Sequence, residues 1–318
     1  MVEKKELEKI EEYLSEYMDS DVEFLLKIGN YILSSGGKRL RPVLVLTFAK
    51  LLRGYNEERD YPLAVAMEYL HTASLLHDDV VDGADTRRGK KSANRVFGND
   101  TVVLTGDYMY ANALYLFSIY GDIDMIKNVS DSVKKMAEGQ LLELKKIGDM
   151  DVTLDEYFRI LEGKTAVLFG SCCYVGAALG GAPQEQKDRA YNYGLNIGLA
   201  FQLIDDYLDY TSTEEKLGKP VCNDLREGKI TYPLLSVMDK LTEEEKELVK
   251  KVIRDLSPSK EDIDRVKSIV EEKGGMTNTI EKARELVNNA ITQLETFPQN
   301  EYLKKLEELA KFIVEREF

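Results

Sequence analysis

The sequence predicts an all-α protein, a bundle of about ten or more helices. Apolar residues recur at helical rather than alternating spacing along most of the 318 residues. No Asn-Gly or similar turn separates two alternating runs, so no hairpin is signalled. Two stretches, around 165–180 and 190–208, are apolar nearly all round, which suits helices surrounded by other helices.

Leu7, Ile10, Tyr13, Leu14 and Tyr17 mark one face of an amphipathic first helix. "SSGGKRLRP" breaks the second, and Pro42 suits the first turn of the third. "VLVLTF" (Val43 to Phe48) has a strand-like composition. Its place behind Pro42 and its apolar continuation through Leu52 favour a buried helix. Further helices are expected near 62–80, 97–119, 123–146, 153–180, 184–210, 229–238, 243–254, 260–274 and 276–315, the last broken around Pro298. No linker rich in Pro, Gly or Ser divides them, so residues 1–318 read as one domain around a thick central bundle.

At 43% hydrophobic the chain can form a large core. Its net charge of -14 argues against nucleic acid as a partner, though not against a small polyanion held in a local basic cluster. Cys172, Cys173 and Cys222 form neither a disulfide framework nor a zinc pattern and read as buried apolar residues. They fit a reducing, cytoplasmic setting, and the charged N-terminus lacks a signal-peptide core. Thr165 to Gln184 carry no charge, enough to span a bilayer. Their Gly, Ala, Ser and Cys content and their flanks indicate a buried core helix, so no transmembrane segment is expected.

"LLHDDVVDGADTRRGK" (Leu75 to Lys90) places Asp78, Asp79 and Asp82 on one turn after an apolar run. Residues four apart share a helix face, so these carboxylates need raised pKa values or compensating cations. "FQLIDDYLDY" repeats the spacing with Asp205, Asp206 and Asp209. Two such triplets are hard to attribute to surface solubility. If their helices face each other, six carboxylates line one cavity mouth. Magnesium suits them, because it keeps waters and shares its other positions with phosphate oxygens. Lys38, Arg41, Arg87, Arg88, Lys164, Lys219, Arg226 and Lys229 are local exceptions in an acidic chain, and Arg39 reads as a solvated surface charge. Lys38 and Arg41 beside a double glycine suit a phosphate cradle. Together these groups describe a diphosphate site.

The ordered motifs "GGKRLRP", "HTASLLHDDVVDGADTRRGK", "GDYMYANA", "EGKTA" and "FQLIDDYLD" followed by "LGKPVCNDLREGKITYPL" resemble the trans-isoprenyl diphosphate synthases, or polyprenyl synthases. The resemblance spans about residues 30–235. Asn223 stands where the family commonly has threonine. The resemblance implies a single-domain isoprenoid-synthase bundle around a central cavity, and a homodimer.

It also implies roles. Asp78, Asp82 and Asp205 would be principal ligands of about three magnesium ions, with Asp79, Asp206 and Asp209 direct or water-mediated partners. Arg87, Lys164, Lys219 and Lys229 would neutralise an allylic diphosphate. Isopentenyl diphosphate would sit without metal against Lys38, Arg41, His71 and Arg88. The resemblance further implies that the allylic carbon–oxygen bond would ionise, isopentenyl diphosphate would attack, and the departed diphosphate would take the proton. Thr165 and Gln202, polar on apolar helices, would stabilise the cation or bond between helices. His77 reads as structural or as a group supporting the aspartates that follow it.

Product length follows from helix geometry. One turn rises about 5.4 Å, close to one extended isoprene unit. Ala73 and Ser74 lie one turn below Asp78, the level that bulky aromatics usually block in family members making short products; here both are small, with Leu70 and Met67 deeper. Tyr108, Tyr110, Tyr115 and Phe117 are candidates for a floor. A medium or long product, roughly thirty to forty-five carbons, is expected rather than farnesyl or geranylgeranyl diphosphate. A terpene cyclase would ordinarily lack the second Asp triplet and the cations of the second substrate. A non-catalytic subunit would lose a triplet. An HD-type phosphohydrolase needs separated histidine ligands, whereas His71 and His77 stand close together. A P-loop kinase fails because Phe158 occupies the first glycine position before "GKT".

Overall fold

The helical spacing of apolar residues is realised along the chain. The computed structural model describes residues 4–52, 56–213 and 220–315. Ten helices come first: α1 (Lys4–Glu16), α2 (Glu23–Leu33), α3 (Leu40–Leu52), α4 (Glu57–Val81), α5 (Ala93–Phe97), α6 (Asn99–Tyr120), α7 (Ile123–Lys146), α8 (Leu154–Leu161), α9 (Val167–Leu179) and α10 (Gln184–Thr211). Two short ones follow, α11 (Asn223–Arg226) and α12 (Tyr232–Leu235), then α13 (Glu243–Arg254), α14 (Lys260–Glu272), α15 (Gly275–Gln293) and α16 (Glu301–Glu315). The gap between α15 and α16 holds Pro298, where a break was expected.

The helices assemble into two compact units. The first comprises Met1–Val133, Leu168–Tyr191 and Thr296–Leu306; the second comprises Lys134–Val167, Asn192–Glu295 and Glu307–Phe318. In the first, α4 packs along α6 and against α3. Residues 61–70 of α4 and 42–49 of α3 are all buried, which explains why "VLVLTF" lacks a polar face and is still a helix. Each fully buried large apolar side chain, such as Leu70 or Met67, contributes about 1.5–3 kcal/mol. Tyr69 donates its hydroxyl to the Leu14 carbonyl at 2.7 Å and ties α1 to α4.

One hairpin departs from the sequence expectation. β1 (Thr86–Arg87) pairs antiparallel with β2 (Lys90–Lys91). Arg88 and Gly89 turn the chain with φ of 51° and 76°, the left-handed pair that matches strand twist. Arginine stands where Asn ordinarily signals such a turn, so the pattern was hidden. Arg87 therefore sits on a strand and Arg88 in its turn.

In the second unit α8 starts with a reciprocal cap between Thr153 and Glu156. The helix expected over 153–180 is interrupted by a π-turn, Glu162–Ala166. A Cβ on Gly163 would stand 2.8 Å from the Gly139 Cα, so only a pair of glycines lets α7 and the π-turn come this close. Leu225, Leu234, Val249, Val266 and Ile269 centre the apolar core of this unit. Cys172, Cys173 and Cys222 are buried free thiols. Among the described residues no helix is long and apolar enough to cross a membrane.

Candidate active site

Both acidic triplets fall at the ends of long helices: Asp78 and Asp79 in the last turn of α4 with Asp82 just beyond it, and Asp205, Asp206 and Asp209 in the last two turns of α10. A helix C-terminus carries partial negative charge, so carboxylates there are doubly disfavoured without cations nearby. In the first unit the three aspartates have different surroundings. Asp79 is fully buried and accepts from Arg87 Nε at 2.9 Å and from its Nη2. Its other oxygen, Oδ2, is buried and unpartnered. Asp82 is exposed beyond the last turn, and Asp78 is half-buried. Tyr110 lies near Asp78; burial, then the Asp78 and Asp107 carboxylates, push its hydroxyl up to about 12. His77 Nε2 is 3.1 Å from the Val103 carbonyl and its ring meets Tyr110, a structural setting.

The cations assigned to a bare diphosphate also lie in this unit. Lys38 is exposed, and Arg41 is half-buried with its guanidinium 4.7 Å from the Phe169 ring centre. The Arg41 Nε is buried and has no partner. Arg88 reaches to Gly37, where a Cβ would stand 3.0 Å from its Nη1, so a side chain there would displace the guanidinium. Burial, then Arg41, Arg88, Arg87 and Arg39, hold the His71 imidazole well below its usual range, hence neutral. Arg39 is the correction here. It is 4% exposed, not a solvated charge, and pairs with buried Glu68 at 2.9 Å.

Below these groups Ala73, Leu70 and Met67 are fully buried, and Ser74 donates to the His71 carbonyl at 2.8 Å. Among the proposed floor residues, Phe117 is fully buried. Tyr115 is 62% exposed, and Tyr108 donates outward to the Asp19 carbonyl.

The second triplet has the same asymmetry. Asp206 is buried and accepts from the Tyr157 hydroxyl. Burial, then Asp224, with lesser contributions from Asp205 and Asp209, raises its carboxyl well above the carboxylate range, against the Tyr157 bond. Asp209 accepts the backbone N–H of Asn223 at 3.2 Å and of Asp224 at 3.1 Å, anchoring the start of α11. Asp205 is half-buried. A cavity of about 110 Å³ opens beside Tyr157, Lys164, Gln202, Asp206, Asp224 and Lys229. Lys164 rises from the π-turn, a distortion common at functional sites, and donates to both oxygens of Glu143 at 2.8 and 2.7 Å. Thr165, next to it, is buried. Lys229 stands 3.7 Å from Glu143 and 2.8 Å from Glu227. Burial opposes its charge, but these two carboxylates hold its ammonium above the ordinary lysine range. Lys219 lies outside the described residues.

Glu68, Glu143, Tyr157 and Asp224 were not anticipated. Nothing in their spacing sets them apart from surface acids and core aromatics. Among the described residues no three acidic or histidine side chains gather closely enough to hold a metal by protein atoms alone. The donor set nevertheless suits magnesium, which keeps several waters and shares its positions with phosphate oxygens. The unpartnered Asp79 Oδ2 adds a buried acceptor of the right kind.

Residues 22–273 match the family model described as Polyprenyl synthetase. The chain is 37% identical over 302 residues to octaprenyl diphosphate synthase of Escherichia coli (strain K12), covering 95% of this chain and 93% of the relative. A crystal structure of polyprenyl synthase from Caulobacter crescentus CB15, complexed with calcium and isoprenyl diphosphate, superposes with a TM-score of 0.91 at 35% identity, covering 98% of this chain and 94% of that one. A decaprenyl diphosphate synthase from Rhodobacter capsulatus gives 0.92 at 33% identity, covering 98% and 97%.

Proposed function

Since the chain belongs to the polyprenyl synthetase family and is a trans-prenyltransferase making medium- or long-chain all-trans polyprenyl diphosphates, we propose how its residues divide that work. Isopentenyl diphosphate binds without metal to Lys38, Arg41, His71 and Arg88. The allylic diphosphate would bind together with about three magnesium ions, as expected for the family. Asp78, Asp82 and Asp205 would be the principal residues to hold those ions, with Asp79, Asp206 and Asp209 contributing directly or through water. Arg87, Lys164, Lys219 and Lys229 neutralise the same diphosphate. Magnesium, when bound, stabilises negative charge on the leaving diphosphate.

Lys164 and Lys229 then stabilise the charge that grows as the allylic carbon–oxygen bond breaks. Thr165 and Gln202 turn their oxygens to the carbocation. Lys38, Arg41 and Arg88 orient isopentenyl diphosphate so that its double bond attacks that carbon. The new carbon–carbon bond forms, and the released diphosphate takes the proton as the product double bond closes. Support for this division comes chiefly from the buried, unpartnered Arg41 Nε beside a neutral His71, a donor set open to a bare anion.

Residues 1–318 act as one cytoplasmic domain in this reading, since relatives of known structure align along 98% of the chain. A homodimer is also proposed. Leu104, Tyr115 and Ile119 with Ala111 make an exposed apolar row on α6, which suits a second copy. Labelled isopentenyl diphosphate, several allylic primers and magnesium, followed by product sizing, test the activity. Products of about thirty to forty-five carbons are expected, and arrest at farnesyl or geranylgeranyl length overturns the chain-length reading. Ala73→Tyr, filling the level one turn below Asp78, shortens the product by about one or more isoprene units. An unchanged length puts the tail elsewhere.

A further inference from the structure

The segment "GGKRLRP" carries Lys38 and Arg41 toward the proposed isopentenyl diphosphate site, yet Arg39, one of the two residues between them, turns to other partners. Arg39 has φ of 48°, a left-handed conformation that disfavours any residue with a side chain. A glycine would relieve it. Arginine is kept there with four hydrogen bonds. Its Nε and Nη2 donate to the Glu11 carboxylate at 2.6 and 3.1 Å. Its Nη1 donates to Glu68 at 2.9 Å, and Nη2 also donates to the Leu33 carbonyl at 2.6 Å.

Arg39 and Glu68 are 4% and 3% exposed, so the pair is desolvated, whereas Glu11 is half in solvent. The Arg39 carbonyl accepts the Val43 N–H at 3.1 Å and so closes the first turn of α3, the turn that holds Arg41. Glu68 lies on α4 one turn before His71. A single ion pair thus joins the two backbones that carry the diphosphate donors. Glu68 is also the carboxylate that favours the charged forms of half-buried Arg41 and of Arg88.

We propose that the Arg39–Glu68 pair is the positioning device of the isopentenyl diphosphate site, fixing the α3 start with Lys38 and Arg41 against the α4 turn with His71. This inference rests on the assignment of those residues to isopentenyl diphosphate. Neither partner touches substrate. The pair acts by holding the donors in register before the anion arrives, so its loss weakens one substrate and not the other.

Steady-state kinetics with each substrate varied, together with melting temperature, test it. Glu68→Gln raises KM for isopentenyl diphosphate about tenfold, equivalent to about 1.4 kcal/mol, and leaves KM for the allylic primer within about twofold. Glu68→Gln leaves buried Arg39 with only the half-exposed Glu11 as counter-charge, so this variant also melts lower. Arg39→Met combined with Glu68→Leu removes both charges and recovers much of the melting temperature. It does not recover KM for isopentenyl diphosphate, because the register is still lost. A double variant that recovers both quantities reduces the pair to ordinary packing and overturns the proposal. Equal rises in both KM values under Glu68→Gln do the same. Arg41→Ala is the control for the underlying assignment. If it leaves KM for isopentenyl diphosphate unchanged, the site itself is misassigned. If it raises that KM while Glu68→Gln does not, the site stands and the positioning role falls.

Discussion

The two cationic clusters are built from different chemistry. In the first unit the donors are guanidiniums, Arg41 and Arg88, with Lys38 and neutral His71, and the buried counter-charge is Glu68. In the second the donors are ammoniums, Lys164 and Lys229, held by Glu143 among Asp205, Asp206, Asp209 and Asp224. A guanidinium offers a fixed fork that matches phosphate oxygens, so it can bind a bare diphosphate. An ammonium is a point charge. Surrounded by carboxylates, it cannot attract a polyanion until further cations change the sign of the field. On the proposed assignment the difference separates the substrates by their need for metal: the arginine cluster would bind its diphosphate without it, and the lysine cluster would depend on it.

Chelation separates the two most strongly. With EDTA, affinity for a non-reactive allylic diphosphate analogue falls by at least about 100-fold, whereas isopentenyl diphosphate binding changes by less than about threefold. Calorimetric titration of each ligand measures both. An equal loss erases the distinction. Asp205→Asn comes next. It keeps size and removes one charge, and lowers kcat by about 100- to 1,000-fold. KM for isopentenyl diphosphate moves little. A kcat within about threefold of the wild type shows that this half-buried carboxylate is not a principal ligand.

Much of this comparison was legible in the sequence, and the illegible part has a common cause. Both triplets were visible because acids at that spacing conflict with each other and with a helix end. Helices were visible through their periodicity, even for "VLVLTF". Local spacing reports on a residue's own helix and says nothing about its partners. Arg39 therefore read as a surface charge although Glu68, distant in sequence, buries it. Spacing alone does not show that Arg87 holds Asp79 or that Tyr157 holds Asp206. The Arg88–Gly89 turn escaped because its left-handed first residue is an arginine, and the π-turn at Lys164 escaped because "EGKTA" has no helix-breaking residue except one glycine.

A smaller effect probes the ammonium side. Glu143 chelates Lys164 and touches Lys229, so it holds both in place and, on the proposed assignment, would compete with the allylic diphosphate for them. Glu143→Gln keeps a hydrogen-bond acceptor but removes the competing charge. KM for the allylic primer is expected to shift by about three- to tenfold, with the magnesium concentration for half-maximal rate rising, since one carboxylate near the ions is gone. KM for isopentenyl diphosphate is expected to stay within about twofold. A change in that value larger than the change for the primer contradicts the assignment of Lys164 and Lys229 to the primer.

The smallest effect is thermodynamic and concerns His71. Burial and four nearby arginines keep its folded-state pKa well below the ordinary value of about 6.5. Below that ordinary value the unfolded chain takes up a proton that the folded protein refuses. Stability is therefore lost as pH falls from about 7 toward 5, and the loss levels off only below the folded pKa. His71→Gln removes this contribution. Its melting temperature is expected to fall by a few degrees less than that of the wild type between pH 7.5 and pH 5.5. A bound diphosphate reverses the local field and favours the imidazolium. Saturating isopentenyl diphosphate should therefore shrink the wild-type loss and leave that of His71→Gln unchanged. The lysine cluster contains no histidine, so an allylic analogue should not produce this correction. If it does so as strongly as isopentenyl diphosphate, the two clusters do not discriminate between the substrates.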